Sequence, residues 1–228
     1  MAKQTHPSLV DGTASLISPP GSLPMAKDSP PLQLGVMASG SGSNFEAIAG
    51  AIAAGDLNAQ LRVLIYNNPT ARVVARAERW QVPAMLLNHR AFPDRETLDQ
   101  AIVHTLQQHE VDWVIMAGWM RIVTPILIDA FPQRVLNIHP SLLPSFKGVG
   151  AVEQALAAGV KLSGCTVHYV VPEMDSGPIL IQAAVPVLPD DTPETLQARI
   201  QVQEHRIYPQ AIALAAHHSR TQAEASQS

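Results

Sequence analysis

One cysteine, Cys165, stands in the 228 residues, so no intramolecular disulfide can form. A chain without disulfides suits a reducing cytoplasm. Aromatic residues are scarce at 4%, which leaves Ala, Val, Leu and Ile to fill any core. Hydrophobic residues reach 46%, enough to fill one large domain. The net charge is −4 and no basic block occurs, which argues against nucleic acid or an anionic membrane as main partner. No stretch approaches the roughly 20 apolar residues of a membrane span. Pro7, Asp11 and Gly12 interrupt any apolar run at the start, so a secretory signal is not expected. His-Glu-x-x-His and paired Cys/His spacings are missing, so no metal site is expected.

What is present divides into three parts. Residues 1–32 are Ser- and Pro-rich and lack a hydrophobic period, which predicts a disordered extension without a role in chemistry. Residues 33–218 carry the domain, and 219–228 form a polar tail. Within the domain, short apolar runs alternate with helical patterns. LGVMA (34–38), LRVLIY (61–66), AMLL (84–87), VDWVIMAG (111–118) and RVLNIH (134–139) read as buried strands. FEAIAGAIAAG, ARVVARAERW and residues 94–110 read as helices; the last has Leu98, Ile102 and Leu106 at helical spacing. This alternation predicts an open, mostly parallel α/β sheet flanked by helices. TVHYVV (166–171) and ILIQAAVPV (179–187) then lie close together, which predicts an antiparallel hairpin. A long helix closes the chain over 192–218, with Thr192 as N-cap and Pro193 in the first turn. Pro209 is expected to kink or divide it.

Two stretches carry chemistry. SGSGSN (39–44) joins a strand to a helix, where glycines let a ligand approach the main chain and the helix offers free N–H groups. It suits a phosphate, and serves equally well as a plain tight turn. It is neither a dinucleotide fingerprint, since Phe45 fills the last glycine position, nor a P-loop. The second is LNIHP (136–140). Alternation on a strand puts Asn137 and His139 on the face of Val135, with Leu136 and Ile138 opposite. Pro140 ends the strand, and ligands of open α/β sheets bind at such ends. An amide can stabilise an oxyanion and an imidazole can move a proton, as acyl transfer requires. The pair could also just satisfy local backbone groups. Asp175, in the turn PEMDSGP, is a candidate to orient the imidazole, or a solvated turn aspartate. His168 lies on a strand run that could face the same cleft.

Five motifs in order resemble the phosphoribosylglycinamide formyltransferases: SGSGSN, AGWMRIVTP (117–125), LNIHPSLLPSFKG (136–148), VHYVVPEMDSGPILIQ (167–182) and QVQEHRIYP (201–209). The resemblance implies that Asn137, His139 and Asp175 are catalytic. It implies that Gly42, Ser43 and Asn44 hold the phosphate of glycinamide ribonucleotide, and that Gln201 and Glu204 hold the rest of it. It assigns Arg95, Met120, Arg121, Ile122 and Val123 to the site of 10-formyltetrahydrofolate, together with Asn137, Val171, Pro172, Glu173 and Met174. The implied reaction is direct formyl transfer in de novo purine synthesis. The partners would be small molecules, and the protein a cytoplasmic monomer or weak homodimer without a metal. The chain departs from the family after FKG, where Gly150 and Val152 replace usual polar residues. Methionyl-tRNA formyltransferase would need a tRNA domain and formyltetrahydrofolate hydrolase a regulatory one; neither is expected here.

Overall fold

The computed structural model describes residues 16–19 and 29–225. Eight strands are present among them: β1 (Leu16–Ser18), β2 (Leu32–Ala38), β3 (Ala59–Tyr66), β4 (Ala84–Leu86), β5 (Trp113–Met116), β6 (Val135–His139), β7 (Leu162–Tyr169) and β8 (Ile179–Pro186). The helices are α1 (Ser43–Ala54), α2 (Val73–Arg79), α3 (Arg95–Gln108), α4 (Pro125–Ala130), α5 (Ala151–Ala157) and α6 (Pro193–Ala225). The strands form one sheet, ordered β1-β8-β7-β6-β5-β2-β3-β4. The pairs from β6 through β5, β2 and β3 to β4 are parallel. Those from β6 through β7 and β8 to β1 are antiparallel.

The expected alternation and the C-terminal hairpin are both present. α4 and α5 were not anticipated, because each is under two turns long and shows no full apolar period. α6 runs unbroken through Pro209 and on to Ala225, past the expected end at 218. Residues 16–18 also differ from expectation. Leu-Ile-Ser pairs with Gln182 to Ala184, half-burying Ile17 against the core while Leu16 stays exposed. Without it the N–H and C=O groups along the outer edge of β8 would stand unpaired. The disorder expected for 1–15 and 20–28, and the tail end 226–228, lie outside the described residues.

β3 and β5 flank β2 on opposite sides, so the winding of the sheet reverses between β2 and β5, the place where open α/β sheets set a ligand crevice at the strand ends. The loops leaving β2 and β5 are tied together there. Ser39 N donates to Gly118 O at 3.0 Å and Met120 N to Ser39 Oγ at 2.9 Å. One sheet face packs α1, α2, α5 and α6 around Phe45, Ile48, Leu136, Ile138 and Ile200. The other packs α3 and α4 around Leu98, Ile102, Leu106, Leu127 and Val135. Tyr208, fully buried on α6, donates from its hydroxyl to the carbonyls of Met116 (3.0 Å) and Leu136 (3.2 Å). The closing helix is thereby bolted beneath the two strands that end at the crevice.

Candidate active site

Asn137 and His139 lie two apart at the end of β6, on the face of Val135, with Leu136 and Ile138 in the opposite core. The antiparallel register sets His168 of β7 directly across from Asn137, and Thr166 across from His139. The turn after β7 then folds back and delivers Asp175. Its backbone is left-handed, φ 50°, an uncommon state for a non-glycine residue that clusters at functional sites. Gly177, two residues on, is obligatory: a Cβ there would lie 1.8 Å from Tyr169 O.

The carboxylate reaches both histidines. Asp175 Oδ2 is 3.5 Å from His139 Nδ1, and Oδ1 is 3.7 Å from His168 Nε2. Gly148 N also donates to Oδ2, at 2.8 Å. Lys147 tethers the turn through the Ser176 hydroxyl and lies 3.7 Å from Glu173. Burial pushes the Asp175 carboxyl up, but His168, the Gly148 N–H and the charge of His139 outweigh it. The group is held below the ordinary carboxylate range. His139 is 7% exposed. Its Nε2 is 2.8 Å from Phe146 O, so both ring nitrogens face oxygen acceptors and an imidazolium can donate to each. His168 Nδ1 donates to Tyr169 O at 2.8 Å, which leaves its Nε2 3.3 Å from Asn137 Nδ2.

The glycine loop forms a second centre. Gly42 caps α1 in the left-handed region, φ 74°, and a Cβ there would strike Val73 at 2.3 Å. From α6, Gln201 Nε2 donates to Ser43 Oγ at 3.0 Å, and Asn44 Nδ2 donates to Glu204 Oε2 at 2.9 Å. Burial pushes the Glu204 carboxyl up, with the Asn44 amide partly opposing it. Asn44 Oδ1 is buried without a hydrogen-bond partner among the described residues. The structure thus brings Gln201 and Glu204 against Gly42–Asn44, although more than 150 positions separate them.

The remaining expected residues occupy two segments beside the crevice. Met120, Arg121 and Ile122 are exposed, while Val123 is buried among α3 and α4. Val171 is half-buried, and Pro172, Glu173 and Met174 are exposed. Arg95 begins α3 at the surface. It lies within electrostatic reach of Asp99, whose Oδ2 accepts from Thr124 N at 2.5 Å and so fixes the end of the Met120–Val123 segment. A cleft of about 220 Å³ opens at Asp175, lined by Leu143, Pro144, Lys147, Glu173 and Ile179 among others. The Gly150 and Val152 departure has a packing reason. Gly150 caps α5 with φ 72° and Val152 is buried in the core. The Phe146 carbonyl and the Gly148 N–H escaped sequence reasoning, because main-chain groups leave no signal in residue type.

An open sheet that presents an amide, two imidazoles and a carboxylate at one strand end is built for group transfer at a carbonyl carbon. The formyl transferase family model matches residues 32–212, and the chain belongs to that family. Among its relatives is the phosphoribosylglycinamide formyltransferase of Bacillus subtilis, 42% identical over 177 residues, which are 78% of this chain and 91% of that protein. The human trifunctional purine biosynthetic protein adenosine-3 is 41% identical over 184 residues, or 81% of this chain but only 18% of that much longer protein. Glycinamide ribonucleotide transformylase 1 of Symbiobacterium toebii superposes with a TM-score of 0.79 at 47% identity, covering 80% of this chain and 86% of that one.

Proposed function

We propose that this chain is a phosphoribosylglycinamide formyltransferase. It moves the formyl group of 10-formyltetrahydrofolate directly to the amine of glycinamide ribonucleotide, a step of purine synthesis. The observation that carries the reading is the meeting of Asn137, His139 and Asp175 at one strand end, with His139 Nδ1 3.5 Å from Asp175 Oδ2.

The substrate amine attacks the formyl carbon, the carbonyl oxygen gains negative charge, and the bond to the folate nitrogen then breaks. The amine gives up a proton and the leaving nitrogen takes one. Asn137 Nδ2 supplies a donor for the oxyanion, and the His139 imidazolium, its two N–H groups held by Phe146 O and Asp175, stabilises it by positive charge. Asp175 stabilises the imidazolium and fixes its orientation, and an ordered water beside it would relay the proton. Gly42, Ser43 and Asn44 receive the ribonucleotide phosphate at the start of α1, and Gln201 and Glu204 hold the remainder of that substrate. Formylfolate fits the exposed strip of Met120, Arg121 and Ile122 with Arg95, and the Val171–Met174 turn opposite. Met120, Ile122 and Met174 are 69%, 50% and 46% exposed, apolar surface that a pterin would cover. Val123 contributes from beneath, by supporting the strip. We place the protein in the cytoplasm as a monomer or weak homodimer acting on small molecules. Among the described residues no helix is long and apolar enough to cross a membrane.

The test is purified protein with 10-formyltetrahydrofolate, with and without glycinamide ribonucleotide. Formyl transfer that requires the ribonucleotide is expected. Deformylation without it would point to a hydrolase instead, and no turnover would defeat the proposal. His139→Ala should lower kcat by about 10²–10⁴-fold while the far-ultraviolet spectrum and the unfolding midpoint stay near wild type.

A further inference from the structure

Arg76, on α2, takes no part in the catalytic cluster, yet it reaches the glycine loop from behind. Its Nε donates to Ser41 O at 2.8 Å. Its Nη1 donates to Glu46 Oε2 at 2.9 Å, and Glu46 stands in the first turn of α1. The same carboxylate accepts from Arg79 and from Trp80 Nε1. One residue of α2 upstream repeats the hold, as Val73 N donates to Gly40 O at 3.1 Å. The carbonyls of Gly40 and Ser41 are therefore both drawn toward α2.

Within a peptide unit the C=O and the following N–H point in opposite directions. Pulling the Gly40 and Ser41 carbonyls back turns the N–H groups of Ser41 and Gly42 forward, away from α2. The Gly42 carbonyl is engaged along the helix by Glu46 N at 3.0 Å, which leaves the Ser43 N–H directed out of the helix start. The N–H groups of Ser41 and Gly42 find no acceptor among the described residues. Consecutive N–H groups aimed one way make an anion-binding concavity, and its geometry depends on what holds the carbonyls behind it.

We propose that Arg76 is a positioning residue for the phosphate of the ribonucleotide: it fixes the Ser41 peptide so that the loop's N–H groups are aimed before the substrate arrives. The inference rests on the reading that this loop receives that phosphate. Glu46 in turn fixes the guanidinium, so Arg76 is locked at both ends. A lysine can reach one oxygen with its ammonium but cannot span Ser41 O and Glu46 with a planar fork.

The experiment compares wild type, Arg76→Gln and Arg76→Lys in steady-state kinetics. In parallel, inorganic phosphate is titrated while the amide resonances of Ser41, Gly42 and Ser43 are followed. Arg76→Gln should raise KM for the ribonucleotide about 10-fold or more, with kcat and KM for formylfolate changed less than about 3-fold. It should weaken phosphate binding at the three amides by a similar factor, and Arg76→Lys should recover part of both losses. An unchanged KM for the ribonucleotide in Arg76→Gln would overturn the inference while the transferase reading stands. Equal losses in kcat and in both KM values would also overturn it, since that pattern marks general damage to the fold. If wild type shows no transfer, the transferase reading fails by itself, and the phosphate titration decides the role of Arg76: unaltered amide shifts in Arg76→Gln overturn it.

Discussion

Asp175 shows how one side chain collects its role from four directions: His139, His168, the Gly148 N–H and its own strained backbone. Because its folded carboxyl sits below the ordinary range, its contribution to stability is present above the unfolded-state value of about 3.9. That contribution is lost as the pH falls through the depressed folded value. Asp175→Asn should cut kcat by about 10²-fold or more at neutral pH, since an amide cannot hold an imidazolium. It should also flatten the acid limb of the stability curve, read as the urea midpoint from pH 6 down to pH 3; a limb as steep as wild type would contradict the assigned interactions. The pair Asn137 and His139 was readable as one face of one strand, since alternation is local. His168 was visible only as a possibility, because its place opposite Asn137 depends on the β6–β7 register.

At the scale of elements, α6 is held to the sheet at its start and at its middle. Tyr208 bonds the strand carbonyls under the crevice, and Asp191 secures the start of the helix. Arg199 grips Asp191 with two bonds of 2.7 and 2.8 Å, while Leu188 N and Thr195 Oγ1 donate to the same carboxylate. The Arg199 bonds hold that carboxyl far below its ordinary range. Asp191→Asn should cost about 1.5–3 kcal/mol at pH 7, measured by urea unfolding. The difference from wild type should shrink below about pH 4, as the wild-type carboxylate loses its advantage on protonation. A small effect on kcat is expected, with a rise in KM for the ribonucleotide, because Gln201 and Glu204 ride on this helix. The helix itself was legible from its apolar spacing and its Thr-Pro start. α4 and α5 were not, since one or two turns leave too few residues to show a period.

Across the whole molecule, a strand from a distant segment flanks one edge of the sheet. β1 covers the outer side of β8, and deleting residues 1–31 would leave that edge bare. Such a deletion should leave kcat within about 2-fold of wild type, because β1 pairs with Gln182, Ala183 and Ala184, none of which belongs to the catalytic cluster. An unpaired strand edge is a template for self-association, so sedimentation velocity should show stronger concentration-dependent association in the truncated protein than in the full chain. Identical sedimentation of the two proteins would mean that β1 does not protect the edge.

Composition, apolar period and turn residues determined the class of fold, the strand that carries Asn137 and His139, and the glycine loop, because each depends on residues near one another in the chain. What tertiary structure alone decided is which distant groups meet. Asp175 comes to His139 only because β7 and β8 turn back on β6, and Glu204 comes to Asn44 only because α6 packs against α1. Arg76 comes to Ser41 because α2 lies behind the loop. These meetings are set by strand pairing within the sheet and by helix packing on its faces, and local sequence carries no record of which remote segment will arrive.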